Sequence, residues 1–165
     1  MAEDQATTST SRRPLALLPA LFVLLSLVLG CEAIGAPDAY RSQICGAVKD
    51  LSGPLPDAVQ KLEAAATERD RTAILAGIDA VNVVVERIAG LLVDVPLWVP
   101  GIDVTADIGK LVAAYRAAIA ELRQAVASGD QARIDAAMAD LLAARLAAPG
   151  LGDHLRTARI SGLNC

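Results

Sequence analysis

The feature that most constrains the fold is a run of apolar residues that recur alternately four and three positions apart. This spacing puts them on one face of an α-helix, and the run is long enough for about five turns. The residues are Ile74, Ile78, Val81, Val85, Ile88 and Leu92. A strand over 81–85 is the alternative, because consecutive valines favour extended backbone. Polar residues on the opposite helical face, including Asn82 and Glu86, favour the helix.

Four more segments show helical periodicity between start and stop signals. Proline followed by aspartate opens two of them, at residues 37 and 56, and Asp70 and Asp130 are expected N-caps. The predicted helices cover residues 37–51, 56–66, 71–92, 105–128 and 131–146, with a short helical turn from about Asp153. Together they predict a wholly helical domain.

An internal correspondence supports a bundle arrangement. Shifting the chain by 60 residues brings the second and third predicted helices, with Asp70 between them, onto the fourth and fifth, with Asp130 between them. Two similar αα-hairpins would explain this match, and so would chance similarity between amphipathic hairpins. The sequence predicts an all-α fold, an antiparallel bundle of four long helices plus an extra short helix, in which many alanines permit close helix packing.

The main interruption, residues 94–104, is apolar although it cannot be a regular helix. Pro96 and Pro100 break the helical hydrogen bonding. Trp98 lies between them and has two alternative roles: it caps the end of the bundle, or it is presented to a partner or a bilayer. Leu97, Trp98 and Val99 are therefore the predicted binding residues.

The first 30 residues contain an export pattern. Arg12 and Arg13 precede an apolar run that stops at Gly30, directly before Cys31. This pattern resembles a bacterial lipoprotein signal peptide with its lipobox, although Leu29 stands where a smaller residue is commoner. The resemblance implies cleavage before Cys31, acylation of that cysteine, and a mature protein held on the extracytoplasmic face of the cell membrane.

Other forms of export remain as alternatives. An uncleaved anchor is disfavoured because the run is short for a spanning helix and contains Pro19. Secretion with release is the other alternative. Residues 11–16 also resemble the twin-arginine export motif, so the export route stays open.

The domain organisation that follows is a signal peptide over 1–30, a tether over 31–36 and a helical domain over 37–165. The formal net charge is −4, without a basic cluster, which argues against nucleic acid and against electrostatic binding to anionic headgroups. Membrane attachment would then depend on the lipid. The abundance of Ala, Leu, Val, Arg and Asp is typical of GC-rich genomes such as those of actinobacteria.

The sequence offers little catalytic chemistry. His154 is the single histidine, and a metal site or a Ser-His-Asp set needs further ligands or a buried acid beside it. Carboxylates such as Glu63 and Asp140 lie off the apolar stripes, and no Gly-rich phosphate loop, CxxC or HExxH is present. Beyond residue 30 the aromatic residues are Tyr40, Trp98 and Tyr115, too few for a stacking platform. We expect no enzyme activity, no cofactor and no metal.

Two cysteines remain once Cys31 is acylated. An exported domain meets a non-reducing compartment, so Cys45 and Cys165 are predicted to form a disulfide. Cys45 lies at the flank of an apolar stripe, where a tail crossing the bundle could reach it. The alternative is a small buried Cys45 and a free terminal thiol.

Three classes of function are open at this level. The favoured one is a non-catalytic, membrane-anchored lipoprotein whose bundle binds an envelope protein. The alternative is a carrier or sensor of a small apolar ligand held between the helices, and an enzyme is least favoured. An enclosed cavity of roughly a few hundred Å³ would favour the carrier. A solid core with an exposed apolar patch would favour the binding module.

Overall fold

The computed structural model describes residues 35–165, and the regular secondary structure in this part of the chain is all helical. Its α-helices are α1 Asp38–Ser52, α2 Pro54–Glu68, α3 Arg71–Leu91, α4 Ile102–Ser128, α5 Gln131–Ala143 and α6 Leu151–Ile160. Short 3₁₀ turns cover Val99–Gly101, before α4, and Ala144–Ala147, after α5. The predicted signal peptide, the first residues of the predicted tether and Cys31 lie outside the described residues.

Helices α2, α3, α4 and α5 form a closed ring, because each packs on the next and α5 returns to α2. Helix α1 lies on α2 and α3, and α6 lies on α4. Ion pairs between α3 and α4 show that these two helices are antiparallel: Arg116 pairs with Glu86, and Arg123, seven residues further on, pairs with Asp79, seven residues earlier. The predicted all-α bundle is confirmed.

Several helix boundaries differ from expectation: α2 covers Pro54–Glu68 rather than 56–66, and α5 ends at Ala143, where a 3₁₀ turn takes over. Helix α4 begins at Ile102 rather than Thr105, because the 3₁₀ turn Val99–Gly101, which accommodates Pro100 near its start, leads directly into it. Helix α1 is as long as α2, 15 residues each, so it is not the extra short helix. The short helix is α6, at the C-terminus. The C-terminal turn expected from Asp153 is a full helix of 10 residues.

Helix α6 ends in a Schellman motif. Gly162 adopts a φ of 105°, its N–H bonds to the Arg159 carbonyl, and the Leu163 N–H bonds to the Ala158 carbonyl. Leu163 is then fully buried against the domain. This motif fixes the direction of the tail that follows.

Matching turns join the two helices within each hairpin. Arg69 and Gly129 each take the left-handed conformation, with φ of 57° and 72°, and an aspartate follows each of them. The carboxylate of Asp70 accepts the N–H groups of the second and third residues beyond it, and that of Asp130 does the same. The 60-residue correspondence therefore extends to the backbone conformation of the turns.

The predicted stripe of α3 forms the middle of the core. Ile74, Ile78, Val81, Val85 and Ile88 are buried, and residues 81–85 are helical rather than extended. Small residues bring the backbones close: a Cβ added at Gly77 would lie 3.0 Å from the Cα of Leu62 on α2. The core is continuous through the described residues.

The bundle has two ends with different construction. The turn end consists of the 67–71 and 127–131 turns, where the Arg71 guanidinium donates to the Ala127 carbonyl. The loop end consists of the 92–101 loop, the first turns of α1 and α4, and α6.

Candidate functional site: the loop end of the bundle

The 92–101 loop is held rigidly although it is mostly irregular. Asp94 takes a left-handed φ of 56°, and the 3₁₀ turn over Val99–Gly101 leads directly into α4. Gln43 on α1 donates from its side-chain amide to the Val93 carbonyl at 3.2 Å. The loop is therefore attached to α1 at its start as well as to α4 at its end.

Tyr40 on α1 is the main anchor of the loop. Its hydroxyl donates to the Gly101 carbonyl at 2.6 Å, and the Thr105 hydroxyl donates to the same carbonyl at 3.2 Å. Burial raises the pKa of Tyr40, and the hydrogen bond with Thr105 opposes part of that rise. A Cβ at Gly101 would collide with the Tyr40 hydroxyl and lie 2.6 Å from the Trp98 ring, so only glycine fits here.

Trp98 faces inward. Its side chain is 7% exposed and belongs to the core, with its ring centroid 5.1 Å from that of Tyr40 at an interplanar angle of 56°. The proline-bounded loop turns the indole onto the bundle, as expected for the capping alternative, and the role of Trp98 as a binding residue stays a prediction.

The neighbours of Trp98 point the other way. Leu97 is 81% exposed and Val99 is 73% exposed, and Val93 and Ile102 are also exposed. A groove of about 300 Å³ runs beside them, lined by Tyr40, Val95, Pro96, Leu97, Trp98, Ile102, Thr105 and Ala106. The loop end thus presents apolar side chains that the fold does not use, and Leu97 and Val99 remain predicted binding residues.

Asp107 and His154 form a polar cluster next to this surface. Asp107 on α4 is 3% exposed, and its carboxylate accepts a hydrogen bond from Lys110 at 2.7 Å and contacts Nδ1 of His154 at 2.8 Å. The hydrogen bond from Lys110 lowers the pKa of Asp107, as does His154 to a lesser extent, while burial opposes both. Gly150 makes room for the imidazole, since a Cβ there would lie 3.1 Å from its Cε1.

Sequence reasoning missed this cluster. It treated His154 as an isolated surface histidine, whereas a buried acid stands behind it. The available signal was the position of Asp107, which falls on the apolar stripe of α4 between Val104 and Leu111. An acid at a core position needs partners, and these are Lys110 and His154.

The cluster positions α6 on α4, and its geometry alone does not make a catalytic site. In residues 35–165, His154 forms no hydrogen bond with a hydroxyl or thiol, which a nucleophilic triad would require. The same part of the chain contains no group of three or more potential metal ligands.

The disulfide prediction is confirmed. Cys45 and Cys165 are bonded, with their Cα atoms 5.1 Å apart and a separation of 120 positions in the sequence. The Schellman turn at Gly162 directs the tail back along α1, and burial of Leu163 holds it there. The bond therefore closes almost the whole domain.

The described chain starts at the loop end. Gly35 lies against Gly162, where an added Cβ would come within 3.0 Å of the Gly35 Cα, and Ala36 is buried. Tyr40, one turn into α1, already contacts the 92–101 loop. Any segment before Gly35 is consequently joined to the domain at the end that carries the exposed apolar residues.

Two other grooves lie on the sides of the bundle. One of about 620 Å³ lies between α4 and α5 and is lined mainly by alanines, with Glu121, Asp140 and Leu146. Another of about 280 Å³ lies between α2 and α5 and includes Val59, Tyr115, Leu142 and Arg145. Both are surface grooves beside a filled core.

No helix within residues 35–165 combines the length and the apolar character needed to cross a bilayer. Comparison of the chain with protein-family models, with curated proteins and with solved structures finds no match.

Proposed function

We propose that the protein is a lipoprotein anchored through Cys31 on the extracytoplasmic face of the cell membrane, whose helical bundle is a non-catalytic module that binds an envelope protein. The observation that carries this proposal is the outward orientation of Leu97 and Val99 on a rigidly held loop. Exposed apolar side chains on a fixed scaffold are typical of a protein-binding surface.

The disulfide supports the export part of the proposal. A bond between Cys45 and Cys165 is expected to persist in an oxidising compartment and to be rare in the cytosol. The apolar run before Cys31 supports export, and its resemblance to a lipoprotein signal peptide supports lipid attachment at Cys31.

Fatty-acid labelling tests the anchor. Cells that express the full chain are fed an alkyne-tagged fatty acid, and the wild-type protein is compared with Cys31→Ala. We expect label on the wild type and an unlabelled, unprocessed precursor for the variant. Equal labelling of both proteins would refute the lipoprotein interpretation.

Crosslinking tests the binding part. Leu97→Ser/Val99→Ser should lose the envelope protein that crosslinks to the wild type, with little change in melting temperature, because both side chains are exposed. Leu75→Ser/Val83→Ser is a matched control, since it also removes two exposed apolar side chains, from α3. If only the control variant loses the crosslink, the partner binds at α3 and not at the loop end.

The groove between α2 and α5 supports the carrier as a second candidate. Its wall is mostly apolar and includes the Tyr115 ring, with Glu63 and Arg145 as the charged groups, and it could hold a small apolar ligand. Leu142→Trp, which fills the groove, should then displace a fluorescent fatty acid that Leu97→Ser leaves bound. Absence of fatty-acid binding by the wild type would remove this candidate.

A further inference from the structure

We infer that the partner of the loop end is a membrane protein, and that the segment bound there is apolar, carries Lys or Arg, and adjoins a membrane-spanning part of that protein. This inference rests on the proposed function and specifies the partner of the same site. It combines the position of Gly35, the distribution of exposed apolar side chains, and the charge of the loop.

The first step is the reach of the tether. Only three residues lie between Cys31 and Gly35, and each of the four steps along the chain spans at most about 3.6 Å, so an acylated Cys31 would keep Gly35 within about 14 Å of the lipid surface. Gly35 packs on Gly162 at the loop end, and α1 contacts the loop within its first turn. An anchor at Cys31 would therefore keep the loop end within reach of the bilayer.

The second step is the uneven distribution of apolar surface. Eight large apolar side chains are exposed in the described chain, and five of them belong to the loop end. These are Val93, Leu97, Val99, Ile102 and Ile160. The turn end carries polar turns instead, so the apolar surface is concentrated where the tether begins.

The third step is the charge around these side chains. Residues 92–109 contain three acids and no cation. Asp107 is already paired with Lys110 and His154, whereas Asp94 and Asp103 are exposed and form no ion pair within the described residues. The apolar side chains of the loop, Val93, Leu97, Val99 and Ile102, thus have a negative rim, whereas Ile160 on α6 stands next to the exposed Arg159.

The negative charge of Asp94 and Asp103 favours a protein over a lipid bilayer as the partner of this surface. A membrane that contains anionic lipids repels two exposed carboxylates and would oppose insertion of Leu97 and Val99. A protein segment with Lys or Arg beside its apolar residues would pair with Asp94 and Asp103 while covering the apolar side chains. The short tether requires that segment to lie close to the membrane surface.

Photocrosslinking in cells that make the protein naturally is the direct test. A photoreactive amino acid is placed at position 97 of the full chain, and at position 75, an exposed leucine on α3, as the matched control. We expect adducts from position 97 and not from position 75. Mass spectrometry should place the partner's crosslinked peptide next to a membrane-spanning segment and find Lys or Arg in it.

A peptide titration tests the charge without knowledge of the partner. The acylated protein in detergent micelles is titrated with a Leu/Val peptide flanked by lysines, and with the same peptide flanked by glutamates. Methyl NMR signals of Leu97 and Val99 should shift with the lysine peptide. Asp94→Asn/Asp103→Asn should weaken its binding by about threefold to tenfold, in line with the loss of two rim charges.

The control for this variant is Asp57→Asn/Glu68→Gln. It removes the same net charge from exposed positions on α2, and Asp57, like Asp103, lies in the first turn of a helix. We expect this control to bind the lysine peptide as the wild type does. Equal weakening of both variants would overturn the role of the rim.

The outcomes separate this inference from the proposed function. Adducts at position 97 with lipids, or with a protein that has no membrane-spanning segment next to the crosslinked peptide, would overturn the inference; the second result would still support a protein-binding module. Absence of any adduct at position 97 would overturn both. Unlabelled Cys31 together with position-97 adducts would overturn the anchor and the tether argument while leaving protein binding.

Discussion

The two ends of the bundle differ in the sequence distance between the residues that hold them together. At the turn end the contacts are local: the Asp70 carboxylate accepts hydrogen bonds from N–H groups two and three residues further on, and Asp130 does the same. At the loop end, the Tyr40 bond to Gly101 spans 61 residues and the Cys45–Cys165 bond spans 120. The turn end is fixed by local chemistry, whereas the loop end exists only once distant segments have met.

Removal of the disulfide should have the largest effect on stability, and it should act on the loop end first. Removing it with Cys45→Ser/Cys165→Ser should lower the free energy of unfolding by about 4 to 5 kcal/mol, because a loop of on the order of 100 residues is no longer closed in the unfolded chain. Urea denaturation measures this loss. Hydrogen exchange should rise in the tail and in the first turn of α1 before it rises at the two hairpin turns.

Reductant supplies the control for that prediction. It should destabilise the wild type and leave the double variant unchanged. Alkylation of both cysteines of the non-reduced monomer would contradict the bond at the outset.

Trp98 should contribute more to stability than any exposed residue of its loop. Trp98→Ala removes a buried ring that packs on Tyr40 and should cost about 3 kcal/mol. Leu97→Ala, its immediate neighbour, should change the free energy of unfolding by less than about 0.5 kcal/mol. Thermal unfolding of the two variants compares them, and similar losses would mean that the loop is not anchored as described.

Asp107 links the loop end to pH. Because the pKa of this carboxyl is lowered in the folded protein, its stabilising contribution is complete above the unfolded value of 3.8 and is lost as the pH falls through the lower folded value. Asp107→Asn should cost about 1 to 3 kcal/mol at neutral pH, through weakened hydrogen bonds to a charged group. It should also flatten the acid limb of the stability profile.

Lys110→Ala sharpens the same prediction. The Lys110 hydrogen bond is the largest cause of the lowered Asp107 pKa, so this variant should shift the acid limb to higher pH while His154 keeps its contact. Unfolding in urea at pH values from about 2 to 7 gives the profiles. If the wild-type and Asp107→Asn profiles superimpose, Asp107 does not determine the loss of stability at low pH.

The turn end should respond least, and symmetrically. Asp70→Ala and Asp130→Ala each remove one N-cap and should each cost about 1 kcal/mol. Arg69→Gly should stabilise by about 0.5 to 1 kcal/mol, because Arg69 holds the left-handed conformation that Gly129 adopts without strain. Chemical denaturation can resolve these changes, and clearly unequal caps would show that the two hairpins are not equivalent.

A region could be predicted from the sequence when the residues that determine its structure are close together in the chain. The stripes of α3 and α4, the Asp caps and the disulfide partners could be predicted, because periodicity, capping and a count of two remaining cysteines are visible in the chain. The inward orientation of Trp98 could not, since a loop between prolines has no periodicity to show which side chain is buried. His154 was misinterpreted because its partner lies 47 residues away.

The sequence by itself determined the helical class, the positions of most helices and the two hairpin turns, because these depend on hydrogen bonds and side-chain spacing within a few residues. The tertiary structure alone decided which loop side chains are exposed, which residues pair with Asp107, and that the chain at Gly35 lies against Gly162. Each of these depends on contacts between distant segments, whose energies are realised only when the core between them is packed.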